Sequence, residues 1–145
     1  MFIGEYKASF TQGKRIAIPG KLRNNITGET VIATRGYENN IVLVTPEHFD
    51  TLLEGISDKP FISSNKREAT RFLLGGAHEL KMDAQGRVVL PESLIEHASI
   101  SGEEVVFVGL GTWVEVWDIS VWDQYRAKMS EQSTEIANRL LSVNE

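Results

Sequence analysis

The sequence predicts a mainly β protein with added helices, of α+β class, built from two copies of one unit. Three observations carry this reading. The stretch "TQGKRIAIP", Thr11 to Pro19, returns as "DAQGRVVLP", Asp83 to Pro91. Around both, short apolar runs alternate with polar residues or run continuously, bounded by Gly and Pro. After the last such run of each copy, apolar residues recur at helical spacing.

In chain order, "YKASF" and "RIAIP" flank a Gly-containing turn and read as a hairpin. Pro19 and Pro91 end the second strand of each copy, because proline cannot donate to a ladder. "GETVIAT" and "NIVLVT" pair around "GYENN", and "GEEVVFVGL" with "TWVEVWD" repeats the arrangement in copy two. Strict alternation in "WVEVW" puts Trp113, Glu115 and Trp117 on one face and Val114 and Val116 on the other.

Helices follow. Thr45-Pro46 starts one, a capping residue and then proline at the first helical position, with Phe49, Leu52, Leu53 and Ile56 along one side. A second starts in Ser63-Ser64-Asn65, carries Ala69, Phe72 and Leu73, and stops at Gly75-Gly76. In copy two, Ser120 and Asp123 have capping-box spacing. The long helix after them carries Trp122, Tyr125, Met129, Ile136, Leu140 and Leu141, and its polar middle, "SEQSTE", predicts a break.

The correspondence between copies extends past the loops. Leu22 answers Leu94, Ile26-Thr27-Gly28-Glu29 answers Ile100-Ser101-Gly102-Glu103, Val31-Ile32 answers Val105-Val106, and Phe49-Asp50 answers Trp122-Asp123. Four short strands with one apolar face cannot make a good core alone. Two copies packed face to face about a pseudo-twofold axis, strands interleaved into one small barrel, solve that problem.

Composition narrows the function. At 145 residues the chain is one compact domain, or two very small ones sharing a core. The absence of cysteine excludes disulfides and thiolate metal sites and fits a reducing compartment. No apolar run approaches a membrane span, and "MFIGEYK" does not open a secretory leader, so a cytoplasmic protein without membrane attachment is expected. The net charge of −5 conceals a polarity. Residues 1–23 carry Lys7, Lys14, Arg15, Lys21 and Arg23 against Glu5 alone, whereas acids dominate from residue 92 onward.

Catalysis is not indicated. His48, His78 and His97 lack the i, i+4 spacing of a helical metal site, no phosphate-binding loop occurs, and no serine sits in a nucleophile elbow. No cofactor, metal site or small-molecule substrate is expected.

The two loops carry the chemistry. Lys14 and Arg15 lie side by side in the most basic segment, and Arg87 holds the matching place in copy two. Guanidinium groups attract phosphate and can fork onto guanine O6 and N7 in the major groove, which admits a two-stranded ribbon. Gly13 and Gly86 would let backbone approach a phosphate, and Gln12 and Gln85 would add amide contacts. Asp83, and Thr11 in its place in copy one, read as structural residues of the turn, since a carboxylate repels phosphate. Trp113 and Trp117 read equally as an association face or as core beneath the long helix.

These features resemble the MraZ family of bacterial transcriptional regulators. The resemblance rests on "MFIGEY", on the D-x-x-x-R motif Asp83-Ala84-Gln85-Gly86-Arg87, on "RFLLGGAHE" and on "VVFVGLGTWVEVWD". It implies a duplicated AbrB-like, swapped-hairpin β-barrel with flanking helices. The repeats would span 1–50 and 78–124, with a helical segment at 51–77 and a helical tail at 125–145. It further implies a ring-shaped homo-oligomer at the nucleoid that binds double-stranded DNA at short direct repeats. The regulated genes would be the division and cell-wall cluster, including its own gene, with repression favoured. Copy one departs from the motif: aspartate is replaced by Thr11, and Gly13-Lys14 reverses the usual Lys-Gly order. The rival reading is an AbrB-like module that binds only protein.

Overall fold

Each copy lends its first strands to the other. The computed structural model describes residues 1–56 and 58–142. Their elements are β1 (Phe2–Ser9), β2 (Arg15–Ala17), α1 (Gly20–Arg23), β3 (Thr30–Arg35), β4 (Ile41–Val44), α2 (Pro46–Leu52) and α3 (Ser64–Leu73). The second copy supplies β5 (His78–Lys81), β6 (Arg87–Val89), α4 (Glu92–His97), β7 (Glu104–Gly111), β8 (Trp113–Asp118), α5 (Ile119–Glu131) and α6 (Ser133–Ser142). A six-stranded sheet runs β1-β7-β8-β4-β3-β5, and β2 pairs with β6 as a separate ribbon. Exchanging the copies maps β1 on β5, β7 on β3 and β8 on β4. The order therefore reads the same from either edge, with the pseudo-twofold between β8 and β4.

This exchange corrects one expectation. "YKASF" and "RIAIP" do not form a hairpin ladder. β1 pairs along its length with β7, from Phe2↔Gly111 to Ser9↔Glu104, and only a Thr11↔Arg15 bridge joins it toward β2. The reason is burial: within one copy a β1–β2 hairpin would leave its apolar face uncovered, whereas exchange closes both faces. The pairs β3–β4 and β7–β8 form as expected, Ile32↔Val44 to Arg35↔Ile41 and Val105↔Asp118 to Gly109↔Val114.

Alternation then sorts the side chains. Val31, Ala33, Ile41, Leu43, Val105, Phe107, Val114 and Val116 face inward, against Ile16, Ile18, Val88 and Leu90 of the ribbon strands and their extensions. Leu22, Leu94 and Ile95 close that core from α1 and α4. Each such fully buried side chain contributes about 1.5–3 kcal/mol. On the opposite face, Ile32 and Val44 pack with Phe49, Leu53 and Leu73, while Val106, Val108 and Trp117 pack with Trp122.

The helices mostly start where the sequence places them. The Thr45 hydroxyl accepts from His48 N–H, and the Ser63 hydroxyl from Lys66 N–H. α1 and α4, each following a proline, are too short to show a periodic pattern. The cap of α5 is Asp118 rather than Ser120: its Oδ2 accepts from the N–H groups of Ser120 and Val121 at 3.1 and 3.2 Å. The strand runs straight into the helix, so the carboxylate at the junction reaches the free N–H groups first. The break in "SEQSTE" falls at Gln132, between α5 and α6.

Trp117 proves to be core beneath α5, 3% exposed, with ring centroids 5.3 Å from Trp122 and 5.1 Å from Tyr125. Glu115 accepts from the indole N–H groups of both Trp113 and Trp117, which explains the carboxylate on that face. Among the described residues no helix is long and apolar enough to cross a membrane.

Candidate nucleic-acid interface

The ribbon brings the two sequence-matched loops together. Its register is Arg15↔Val89, Ile16↔Val88 and Ala17↔Arg87. Ile16 and Val88 are buried in the core, so Arg15, Ala17, Arg87 and Val89 share the outer face. Arg15 and Arg87 are diagonal neighbours across the two strands, a relationship that sets side chains about 7–8 Å apart at their base. A shallow depression lined by Thr11, Gln12, Gly13, Arg15 and Arg87 lies beside them.

The strand extensions tie each loop to the other copy. Ile18 N–H donates to the Gly86 carbonyl at 3.0 Å, and Leu90 N–H donates to the Lys14 carbonyl at 3.2 Å. These two bonds are related by the pseudo-twofold, so the loops are held as a pair.

Inside the loops the symmetry ends. In copy two, Asp83 Oδ1 accepts from Gln85 N–H and Arg87 N–H, both at 2.9 Å, and Oδ2 accepts from Arg87 Nε at 2.8 Å. The backbone and side-chain bonds from Arg87 hold the Asp83 carboxyl below its ordinary value of 3.8. Asp83 thus closes the turn and aims the guanidinium at once. In copy one, the Thr11 hydroxyl donates to the Arg15 carbonyl at 3.3 Å and carries no charge to aim the guanidinium. Among the described residues Arg15 and Lys14 have no ion-pair partner. Both are exposed.

The displaced glycine has a backbone consequence. Gly86 sits at φ +75, and its counterpart Lys14 takes the same left-handed conformation at φ +61, with Gly13 beside it at +71. Lysine therefore holds a conformation that favours glycine.

The comparisons with known proteins match the whole length. The MraZ family model, described as MraZ protein, antitoxin-like, matches residues 1–72 and again 73–144. The chain belongs to the MraZ family. A transcriptional regulator MraZ of Syntrophomonas wolfei is 37% identical over 143 residues, covering 99% of each chain. Those of Oenococcus oeni and Caldanaerobacter subterraneus are 35% and 33% identical, over 97% and 99% of this chain and 96% and 99% of their own.

In this MraZ-family chain, Gln12, Gly13, Lys14, Arg15 and Gln85 are exposed and Arg87 is partly so, whereas Gly86 is buried. What approaches Gly86 is not solvent but Arg23. The Arg23 guanidinium lies where a Cβ on Gly86 would stand, and its Nη1 donates to the carbonyls of Ile18 at 3.0 Å and Gln85 at 3.2 Å. Arg23 thus supports the second loop from the first copy. Nothing in its local sequence reveals this, because its partner lies far along the chain and its own counterpart in copy two is Ile95. Glu103 lies beside the first loop in a second depression with Phe10, Gly13 and Lys14. Among the described residues no group of three or more His, Asp or Glu could hold a metal ion.

Proposed function

We propose that this chain is a DNA-binding transcriptional regulator that grips double-stranded DNA with the β2–β6 ribbon and its two loops. The observation that carries the reading is the diagonal placement of Arg15 and Arg87 on one exposed ribbon face. A two-stranded ribbon fits the major groove, where arginine can take guanine O6 and N7 as a fork. Lys14, beside Arg15, adds a phosphate contact, and Gln12 and Gln85 add amides. The net charge of −5 does not oppose this, because attraction follows the local cations of the binding face.

One ribbon makes a small footprint and binds weakly. Several copies in a ring, each reading one short direct repeat, gain affinity through effective concentration. The regulated DNA is then the region upstream of the division and cell-wall cluster that includes its own gene, with repression as the outcome. The protein would work at the nucleoid.

An electrophoretic shift with that upstream DNA tests the reading at two salt concentrations. Log affinity should fall steeply with log salt, and Arg15→Ala and Arg87→Ala should each cost about 1–3 kcal/mol. Undiminished binding by both variants would refute the loop assignment. A protein-binding module is the second reading, favoured by the antitoxin-like description of the family and by the engagement of Arg87 with Asp83. Such a module keeps its partner when both arginines are removed.

A further inference from the structure

The two loops share a sequence plan but not a mechanical one. Arg87 is held in place by its own loop. Its Nε donates to Asp83 Oδ2 at 2.8 Å, its backbone N–H donates to Asp83 Oδ1, and its side chain is 32% exposed. Beneath it, Gly86 rests on the Arg23 guanidinium, whose Nη1 bonds the Ile18 and Gln85 carbonyls.

Loop one has none of these supports. Thr11 offers a hydroxyl in place of the carboxylate, and the space around Gly13 is open. The residue matching Arg23 is Ile95, apolar and buried in the core. Lys14 and Arg15 stand side by side, exposed, and in no ion pair among the described residues.

A base edge and a phosphate make different demands on such groups. A base edge is read by two hydrogen bonds in fixed geometry, and a side chain already ordered loses less freedom in making them. With Nε bound to Asp83, the two terminal amino groups of Arg87 are left to span guanine O6 and N7. The same carboxylate offsets the arginine's charge, so the pair attracts phosphate weakly. Phosphate asks instead for uncompensated positive charge and carries no sequence information. Lys14 and Arg15 supply that charge.

We propose that the loops divide the recognition of DNA: Arg87, aimed by Asp83, selects guanine, while Lys14 and Arg15 anchor phosphate. Asp83 is then a positioning residue that sets sequence preference without touching DNA. The inference rests on the ribbon reading above and adds which loop carries the sequence information.

The test is a binding titration of the full chain with two DNAs. One is the fragment upstream of its own gene, and the other is the same fragment with 7-deazaguanine in place of guanine. That replacement removes the N7 acceptor from the major groove and leaves the phosphates unchanged. The parent should prefer the natural fragment by about tenfold or more. Arg87→Ala should lose most of this preference, with binding to the deazaguanine copy little changed. Arg15→Ala should weaken both DNAs by the same factor and keep the preference. Arg15→Lys, which restores the charge without the fork, should recover most of the affinity. Asp83→Asn keeps an oxygen for the turn N–H groups but loses the ion pair. It should cut the preference about fivefold without weakening the deazaguanine complex, whereas a merely structural role would weaken both DNAs alike.

Loss of the preference in Arg15→Ala, or its retention in Arg87→Ala or Asp83→Asn, overturns the division. Should Asp83→Asn fail to fold by circular dichroism, Arg87→Ala decides, since its backbone bond to Asp83 is intact. A parent that binds both DNAs equally overturns guanine selection and leaves the ribbon's grip on phosphate standing. A parent that binds neither overturns the ribbon reading itself.

Discussion

Arg87 Nε donates to Asp83 Oδ2 at 2.8 Å across the second turn, whereas the corresponding Arg15 faces Thr11 and has no carboxylate partner among the described residues. One sequence device, used twice, thus yields one guanidinium aimed by its neighbour and one left free. The consequences can be measured.

The Asp83 carboxyl titrates below 3.8, mainly because Arg87 donates to its charged form from backbone and side chain. A lowered carboxylate adds stability that is fully present above the unfolded value and is lost as pH falls through the folded value. Asp83→Asn should melt below the parent at neutral pH. The two melting temperatures should converge as pH drops below 3.8, and a gap that is constant with pH would contradict the ion pair's role.

Lys14 holds φ +61, where glycine is at ease. Lys14→Gly should therefore stabilise the fold by about 1 kcal/mol, read as a rise in melting temperature. If Lys14 also contacts phosphate, the same variant should bind DNA more weakly and lower the salt slope by about 1. Lys14→Asn tolerates the left-handed conformation and separates backbone relief from loss of charge.

Gly86→Ala should destabilise by about 1–3 kcal/mol, because the residue is at φ +75 and the new methyl meets the Arg23 guanidinium. Arg23→Ala removes that obstacle but also the bonds to Ile18 and Gln85. The double variant should cost less than the sum of the two, as expected for residues in contact. Strict additivity in chemical denaturation would remove Arg23 from beneath the loop.

Asp118 accepts from Ser120, Val121 and Ser101 backbone N–H groups at one buried junction. Asp118→Ala should cost about 1–2 kcal/mol, whereas Ser120→Ala should be nearly neutral. Reversal of that order would return the cap to Ser120.

Much of this protein could be read locally. Period-two alternation in "WVEVW" gives the faces of β8, Thr45-Pro46 and Ser63 mark helix starts, and the doubled Gly-Arg loop marks the candidate site. These depend on spacing within a few residues, which the chain carries everywhere. The hairpin expectation failed because pairing is settled by which surface remains uncovered, and that depends on strands far apart in sequence. Arg23 was invisible for the same reason.

The sequence alone determined the duplication, the element types, the polarity of charge and the identity of the two cationic loops. Only the tertiary structure decided which strands pair across the copies, β1 with β7 and β2 with β6, that Arg15 and Arg87 meet diagonally on one ribbon, and that Leu140 and Leu141 of α6 stay exposed. The physical reason is that side-chain period is a local property of backbone geometry, whereas burial is a competition among all apolar faces of the chain.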